Sequence, residues 1–246
     1  MMVDDFCKLR DVKTVNIAGL VITSFASMKQ AVNYILNEGD VRNEFAVAIN
    51  AEKVVSALED SSTMHLLQSA TLRYADGASI VLAMRRKSLV SIRIPGCDLW
   101  RELLTSSANH KVPVYVVGAT DTVNRDTVSK LHSMGVNVVG SHNGFFSDFQ
   151  FVINDIIEAK PRIISVAMGS PFQELFIQKC RESYPDAFYM GVGGTYDVFV
   201  GNVKRAPVIF QKLNLEWFYR LIKQPSRIFR QRKIFKFLLL YLNRKV

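Results

Sequence analysis

The chain has 246 residues, 49% of them hydrophobic, with a net charge of +9 and three cysteines. That length suits one large domain or two small ones. Cys7, Cys97 and Cys180 are odd in number, far apart and outside any CxxC pair, which argues against a disulfide framework or a structural zinc site and fits a reducing cytoplasm.

The first residues, MMVDDFCKLRDVK, are charged and lack the apolar centre of a signal peptide. No run approaches the roughly 18–20 apolar residues of a membrane span. A soluble or membrane-peripheral protein is expected.

Short apolar runs rich in β-branched residues then alternate with segments of helical period. Strands are predicted at 14–22, 45–49, 71–74, 114–117, 136–139, 163–167 and 187–190. Helices are predicted at 27–37, 51–58, 98–108, 123–134, 149–158 and 171–183. Ser27 and Asp98 suit a cap or a first helical turn, and Pro171 suits a first turn. The alternation predicts an α/β fold with a mainly parallel, Rossmann-like sheet flanked by helices. Ligands of such folds collect at the carboxyl ends of the strands, where Asn50, Asp76, Gly118, Gly140 and Gly169 fall.

Composition changes near Gly201. Residues 202–246 hold twelve Lys/Arg against one acid, Glu216, so the preceding body is slightly acidic although the whole chain is basic. The expected organisation is an α/β core over 1–201 and a basic helical appendage over 202–246. A helix from 226 to about 242 would place Ile228, Phe235, Leu238, Leu239 and Leu242 on one face, with Arg230, Lys233 and Lys236 opposite. Phe229, Phe237 and Leu240 fall outside that apolar arc. Such a helix suits a membrane interface, or it docks on the core with a solvated basic face.

Several motifs could carry chemistry. MGVGGTYD (190–197) sets Gly191, Gly193 and Gly194, with Thr195 and Asp197, in a strand-to-helix turn able to hold a diphosphate through backbone amides. It has neither Walker nor GxGxxG spacing, and a plain tight turn is the alternative. GSPFQE (169–174) puts Gln173 and Glu174 in a first helical turn. There an amide can read a sugar hydroxyl or a uracil edge, while Glu174 can simply complement the helix dipole. In YADG (74–77), Asp76 is either a general base or half of an Asp-Gly turn. Asn50 of NAEK can cap a helix, line a sugar pocket, or both. Arg93 of RIPGCD can meet a phosphate or carboxylate, or be a surface charge before a Pro-Gly turn. The four histidines show no HExxH spacing, and neither a DxD motif nor a GxSxG elbow is present.

Taken in order, NAEK, YADGASIV, RIPGCDLW, VYVVGAT, GFF, AMGSPFQE, YMGVGGTYDVFVGNVKRAP, LEWFYRL and QPSRIFRQ resemble the WecG/TagA/CpsF glycosyltransferases, most closely the WecG branch. The likeness runs over about 15–232. It implies an inverting transferase needing neither metal nor cofactor. The implied donor is UDP-N-acetyl-D-mannosaminuronate. The implied acceptor is N-acetylglucosaminyl-diphospho-undecaprenol, met at the cytoplasmic membrane surface during enterobacterial common antigen synthesis. The resemblance makes Asp76 the base, Asn50, Arg93 and Gln173 pocket residues, and Arg220, Arg227 and Arg230 the arginines of the appendage. Related sequences often carry Thr two residues before the pocket Asn, where this chain has Ala48.

Two readings from other classes are a nucleic-acid-binding module with a basic C-terminal helix and a nucleotide-binding regulator with an inactive site. The aromatics form no RNP-like stacking motif and the body is slightly acidic, so no nucleic-acid partner is expected. Within the enzyme class, the alternative donor is UDP-N-acetylmannosamine, as in the teichoic-acid branch.

Overall fold

A computed structural model describes residues 12–204, 206–207, 209–210, 219, 228–244 and 246, with the side chains of 228–231 outside the description. Among these residues an eight-stranded sheet runs in the order β1-β2-β6-β5-β10-β9-β7-β8. Its strands are β1 (Thr14–Ile17), β2 (Leu20–Thr23), β5 (Phe45–Ile49), β6 (Leu72–Ala75), β7 (Val114–Gly118), β8 (Val138–His142), β9 (Ile163–Ala167) and β10 (Phe188–Gly191). Within this sheet β1 and β2 pair antiparallel and every other neighbouring pair is parallel.

The run 14–22 is not one strand. It folds back at Ala18 and Gly19, both at positive φ (52° and 87°), and Asn16 Oδ1 accepts the Gly19 N–H at 2.9 Å. Two central residues of positive φ make the hairpin turn whose twist matches its strands. The same device cuts helix 27–37 short. Helix α1 (Met28–Ile35) starts at Ser27, whose hydroxyl accepts the Gln30 N–H. Leu36–Asn37 then forms β3, which turns through Glu38 and Gly39 to pair with β4 (Asp40–Val41).

The remaining helices are α2 (Ala51–Glu59), α3 (Ser61–Ser69), α4 (Ala78–Arg86), α5 (Gly96–Asn109), α6 (Asp121–Ser133), α7 (Phe149–Ala159), α8 (Phe172–Ser183), α9 (Thr195–Val200) and α10 (Ile228–Leu242). Period-2 alternation along the strands feeds two apolar layers. Phe45, Val47 and Ile49 face the layer built with α2, α3, α4, α7, α8 and α10. Ala46, Val114 and Val116 face the layer built with α1, α5, α6 and α9. Both layers bury large side chains completely, among them Phe176 on one side and Trp100 on the other. Central strands buried on both faces read as continuous apolar runs, and for that reason β5, β7 and β9 were legible.

Helix α10 docks on α2. Phe237 is buried, and Ile234, Leu240 and Tyr241 pack beside it. Lys233 Nζ donates to Ser56 Oγ at 2.6 Å and Lys236 Nζ meets Glu59 Oε1 at 2.6 Å. Both residue numbers rise together, so α10 runs in the same direction as α2. The Arg86 guanidinium lies over the Tyr241 ring, 4.8 Å from its centroid.

The apolar face read from the helical wheel therefore does not contact the core. Phe235, Leu238, Leu239 and Leu242 point outward, 66, 49, 60 and 63% exposed. The residues left outside that arc, Phe237 and Leu240, make the contact instead. The helix has two apolar faces, because docking occupies one and leaves the other to solvent. No described helix is long and apolar enough to cross a membrane.

Candidate active site

Strands β6, β5, β10, β9 and β7 are adjacent and parallel, so their carboxyl ends form one rim. Ile49 pairs with Ala75, which sets Asn50 and Asp76 side by side as the next residues of β5 and β6. Met190 pairs with Ala46, so the glycine turn after β10 emerges on the other flank of Asn50. The sequence motifs thus converge at one end of the sheet.

Asp76 is fixed by its backbone. Its N–H donates to the Ile49 carbonyl at 2.9 Å. Its own carbonyl accepts from Arg93 Nε at 2.6 Å, and Arg93 Nη2 lies 3.6 Å from Asp76 Oδ1. Both side chains keep about a quarter of their surface in solvent (22% for Arg93, 27% for Asp76). Arg93 is held there because the next residue, Ile94, donates its N–H to the Ala75 carbonyl at 2.8 Å. The segment before α5 is thereby laced to the end of β6. Arg93 is not a bare surface charge; its guanidinium is directed at Asp76.

Asn50 caps α2, its Oδ1 accepting the Lys53 N–H at 3.0 Å. Gly77 allows this closeness, since a Cβ there would stand 3.3 Å from the Asn50 Cα. Capping uses the amide oxygen and not the amide nitrogen.

A hydrogen-bonded chain joins this corner to the glycine turn. Lys53 Nζ reaches Glu174 Oε1 at 2.7 Å. Gln173 Nε2 donates to the same oxygen at 3.1 Å, and Gln173 Oε1 accepts the Gly193 N–H at 2.9 Å. Glu174 is fully buried. Burial alone would raise its pKa, but the Lys53 ammonium and hydrogen bonds from Lys53, Gln173 and Ser170 outweigh that and hold it below the usual carboxylate value. Gln173 is itself buried and braces the turn. Gly191 makes room for it, because a Cβ there would come within 2.6 Å of Gln173 Nε2.

The turn itself opens outward. Among the described residues, a Cβ on Gly169, Gly193 or Gly194 would meet nothing within 4 Å. Gly193 sits at φ 54°, in the left-handed region that favours glycine. Thr195 is buried and its hydroxyl donates to the Val192 carbonyl at 2.6 Å, which closes the turn internally. Asp197 lies in the first turn of α9, and its carbonyl accepts the Val203 N–H at 3.1 Å.

Residues 15–246 match the model of the glycosyl transferase WecG/TagA/CpsF family. The chain belongs to this family. It is therefore a glycosyltransferase, with a sugar donor and a sugar-accepting substrate. A glycosyltransferase needs a group to take the acceptor's proton and a surface to receive the donor's leaving group. Here the rim brings a carboxylate, two amide side chains, a guanidinium and an open glycine turn to one place.

Of the appendage arginines, Arg220 and Arg227 lie outside the described residues. Arg230 falls in the first turn of α10, with its side chain outside the description. Because α2 starts at the rim and α10 runs parallel to it, that first turn lies toward the rim end. Among the described residues no group of three or more His, Cys, Asp or Glu is positioned to hold a metal ion.

The sequence reading gave no role to Lys53 and treated Glu174 as a dipole partner. Their pairing spans 121 positions, and nothing local announces it. Tyr74 was also passed over. Period-2 spacing along a strand puts residues 74 and 76 on one face, so that signal was present.

Proposed function

We propose that this enzyme transfers N-acetyl-D-mannosaminuronate, with inversion and without a metal, from its UDP conjugate to N-acetylglucosaminyl-diphospho-undecaprenol, the lipid I to lipid II step of enterobacterial common antigen synthesis. The observation that carries the reading is the Asp76 carboxylate held by Arg93 at the strand rim, with β5 alone between its strand and the strand that leads into the open glycine turn.

In this reaction Asp76 accepts the proton of the acceptor hydroxyl as its oxygen bonds to the anomeric carbon from the face opposite UDP. The bond from that carbon to the diphosphate oxygen breaks, and UDP leaves with the electron pair. Preorganised amides and cations then stabilise the diphosphate charge. The Gly191–Gly194 turn, braced by Gln173, supplies the amides, and Arg220, Arg227 and Arg230 supply cations. Asn50 lines the sugar pocket with the part of its amide not used for capping. Arg93 orients Asp76 and offers a positive charge to the donor's carboxylate.

The acceptor's polyprenyl chain stays in the bilayer, so the enzyme must reach the inner face of the bacterial inner membrane. The outward face of α10 suits this, with Phe235, Leu238, Leu239 and Leu242 available to enter the interface. The appendage is basic, and each Lys/Arg near an anionic surface contributes about 1 kcal/mol.

Asp76→Asn tests the assignment. Transfer to a short-chain lipid acceptor is expected to fall below detection, with an unchanged circular dichroism spectrum. Near-wild-type turnover would remove Asp76 as the base.

A further inference from the structure

Tyr74 is fully buried, and among the described residues its hydroxyl has no hydrogen-bond partner. An unsatisfied buried hydroxyl costs about 1–3 kcal/mol, so its presence in a well-packed layer calls for a use. Its position is specific. A Cβ on Gly96 would lie 3.2 Å from the Tyr74 hydroxyl, 3.8 Å from Ala48 Cβ and 4.0 Å from Asp76 Oδ2. The missing side chain of Gly96 thus leaves a small gap bordered by the tyrosine hydroxyl and by Asp76 Oδ2.

We propose that Tyr74 is a positioning residue for Asp76: its hydroxyl donates across the Gly96 gap to Oδ2, directly or through one water, once substrates are bound. The inference rests on the reading of Asp76 as the base. The carboxylate is then held at both oxygens, by Arg93 on Oδ1 and by Tyr74 on Oδ2. Such a hold fixes which lone pair meets the acceptor hydroxyl, and misplacement of a base by a fraction of an ångström is costly.

The hydroxyl is suited to donate. Burial, then the nearby Asp76 charge, then Cys97 push its pKa well above the usual tyrosine range, so it keeps its proton throughout the working pH range. Among the described residues, the ionisable groups that bear on this corner include Arg93 from the loop before α5, Cys97 in the first turn of α5, and Tyr74. Losing a donor to the carboxylate favours its protonated form, so the acid limb of the rate profile should move to higher pH.

Tyr74→Phe, Gly96→Ala and Asp76→Asn, assayed together on the full chain, test the proposal. Tyr74→Phe deletes only the unpaired hydroxyl, and Tm is expected to stay level or rise. Its kcat should fall about tenfold or more, the worth of one hydrogen bond to a charged group. The donor KM should hold, and the acid limb of kcat should shift upward in pH. Gly96→Ala fills the gap and should reproduce the kinetic defect with the hydroxyl still present. Wild-type kcat and an unmoved acid limb in Tyr74→Phe, beside an inactive Asp76→Asn, would overturn the positioning role alone. A lowered Tm with an unmoved acid limb would assign Tyr74 to packing and overturn it equally. An active Asp76→Asn would overturn the base assignment and this inference with it.

Discussion

Lys53 and Glu174 join the two halves of the site. Lys53 retains 18% exposure while Glu174 has none, so the pair is anchored in the protein and touched by solvent at one end. Replacing Lys53 by Met strands a buried carboxylate and should cost about 3 kcal/mol in urea denaturation. Glu174 also sets an acid dependence. Its folded pKa lies below the unfolded value of 4.5, so the unfolded chain takes up the proton first as pH falls. The stability it contributes is complete above 4.5 and is lost as pH drops through the folded value. In Glu174→Gln the urea midpoint should lose less between neutral pH and a pH below 4.5 than it does in the parent; an identical loss would contradict the assignment. Gly191→Ala drives a methyl against Gln173 and should displace the amide from Gly193. The donor KM should rise about tenfold, the value of one lost hydrogen bond near 1.4 kcal/mol, with the circular dichroism spectrum unchanged. At this scale the sequence exposed the residues that end strands, Asn50 and Asp76, because polar residues after apolar runs stand out. It hid Lys53 with Glu174, since no local pattern encodes a contact between distant helices.

Elements were legible where burial is two-sided or caps are polar. β5 and β9 have the boundaries read from sequence, and α1 and α2 start at Ser27 and Asn50 as their cap chemistry implies. Helices α3 and α4 were missed. Helix α3 follows α2 through Asp60 alone, which ends one helix and caps the next, leaving no turn residues to mark it. The Ala18-Gly19 turn was read through because a single glycine inside a periodic run signals little by itself, and the helix predicted to Asn37 overran β3, ahead of the Glu38-Gly39 turn. Helix α10 is the most instructive element. Its two apolar faces cannot be ranked from a wheel, and only docking shows that Phe237 goes inward. Deleting 202–246 would remove Phe237 and Val246 from the apolar layer, so truncation would injure folding along with the proposed membrane contact. Leu238→Asp with Leu239→Asp separates them. Both positions are exposed, so Tm should change little, while sedimentation with anionic liposomes should fall sharply. Undiminished liposome binding would contradict the membrane role of that face.

The whole molecule places its charge and its open apolar face on the same appendage. Residues 202–246 carry the basic excess, and the slightly acidic body holds the rim. Parallel docking of α10 on α2 aims the start of that helix at the rim, where the proposed membrane-held acceptor would meet the donor. Family membership fixes the enzyme class, and the sugar is the finer proposal. The most direct measurement presents UDP-N-acetylmannosaminuronate and UDP-N-acetylmannosamine separately, with short-chain N-acetylglucosaminyl-diphospho lipid, and weighs the product by mass spectrometry. The account predicts a gain of one N-acetylmannosaminuronate residue, lost in Asp76→Asn. Gain of a neutral N-acetylhexosamine, or no transfer from the uronate donor, would contradict it.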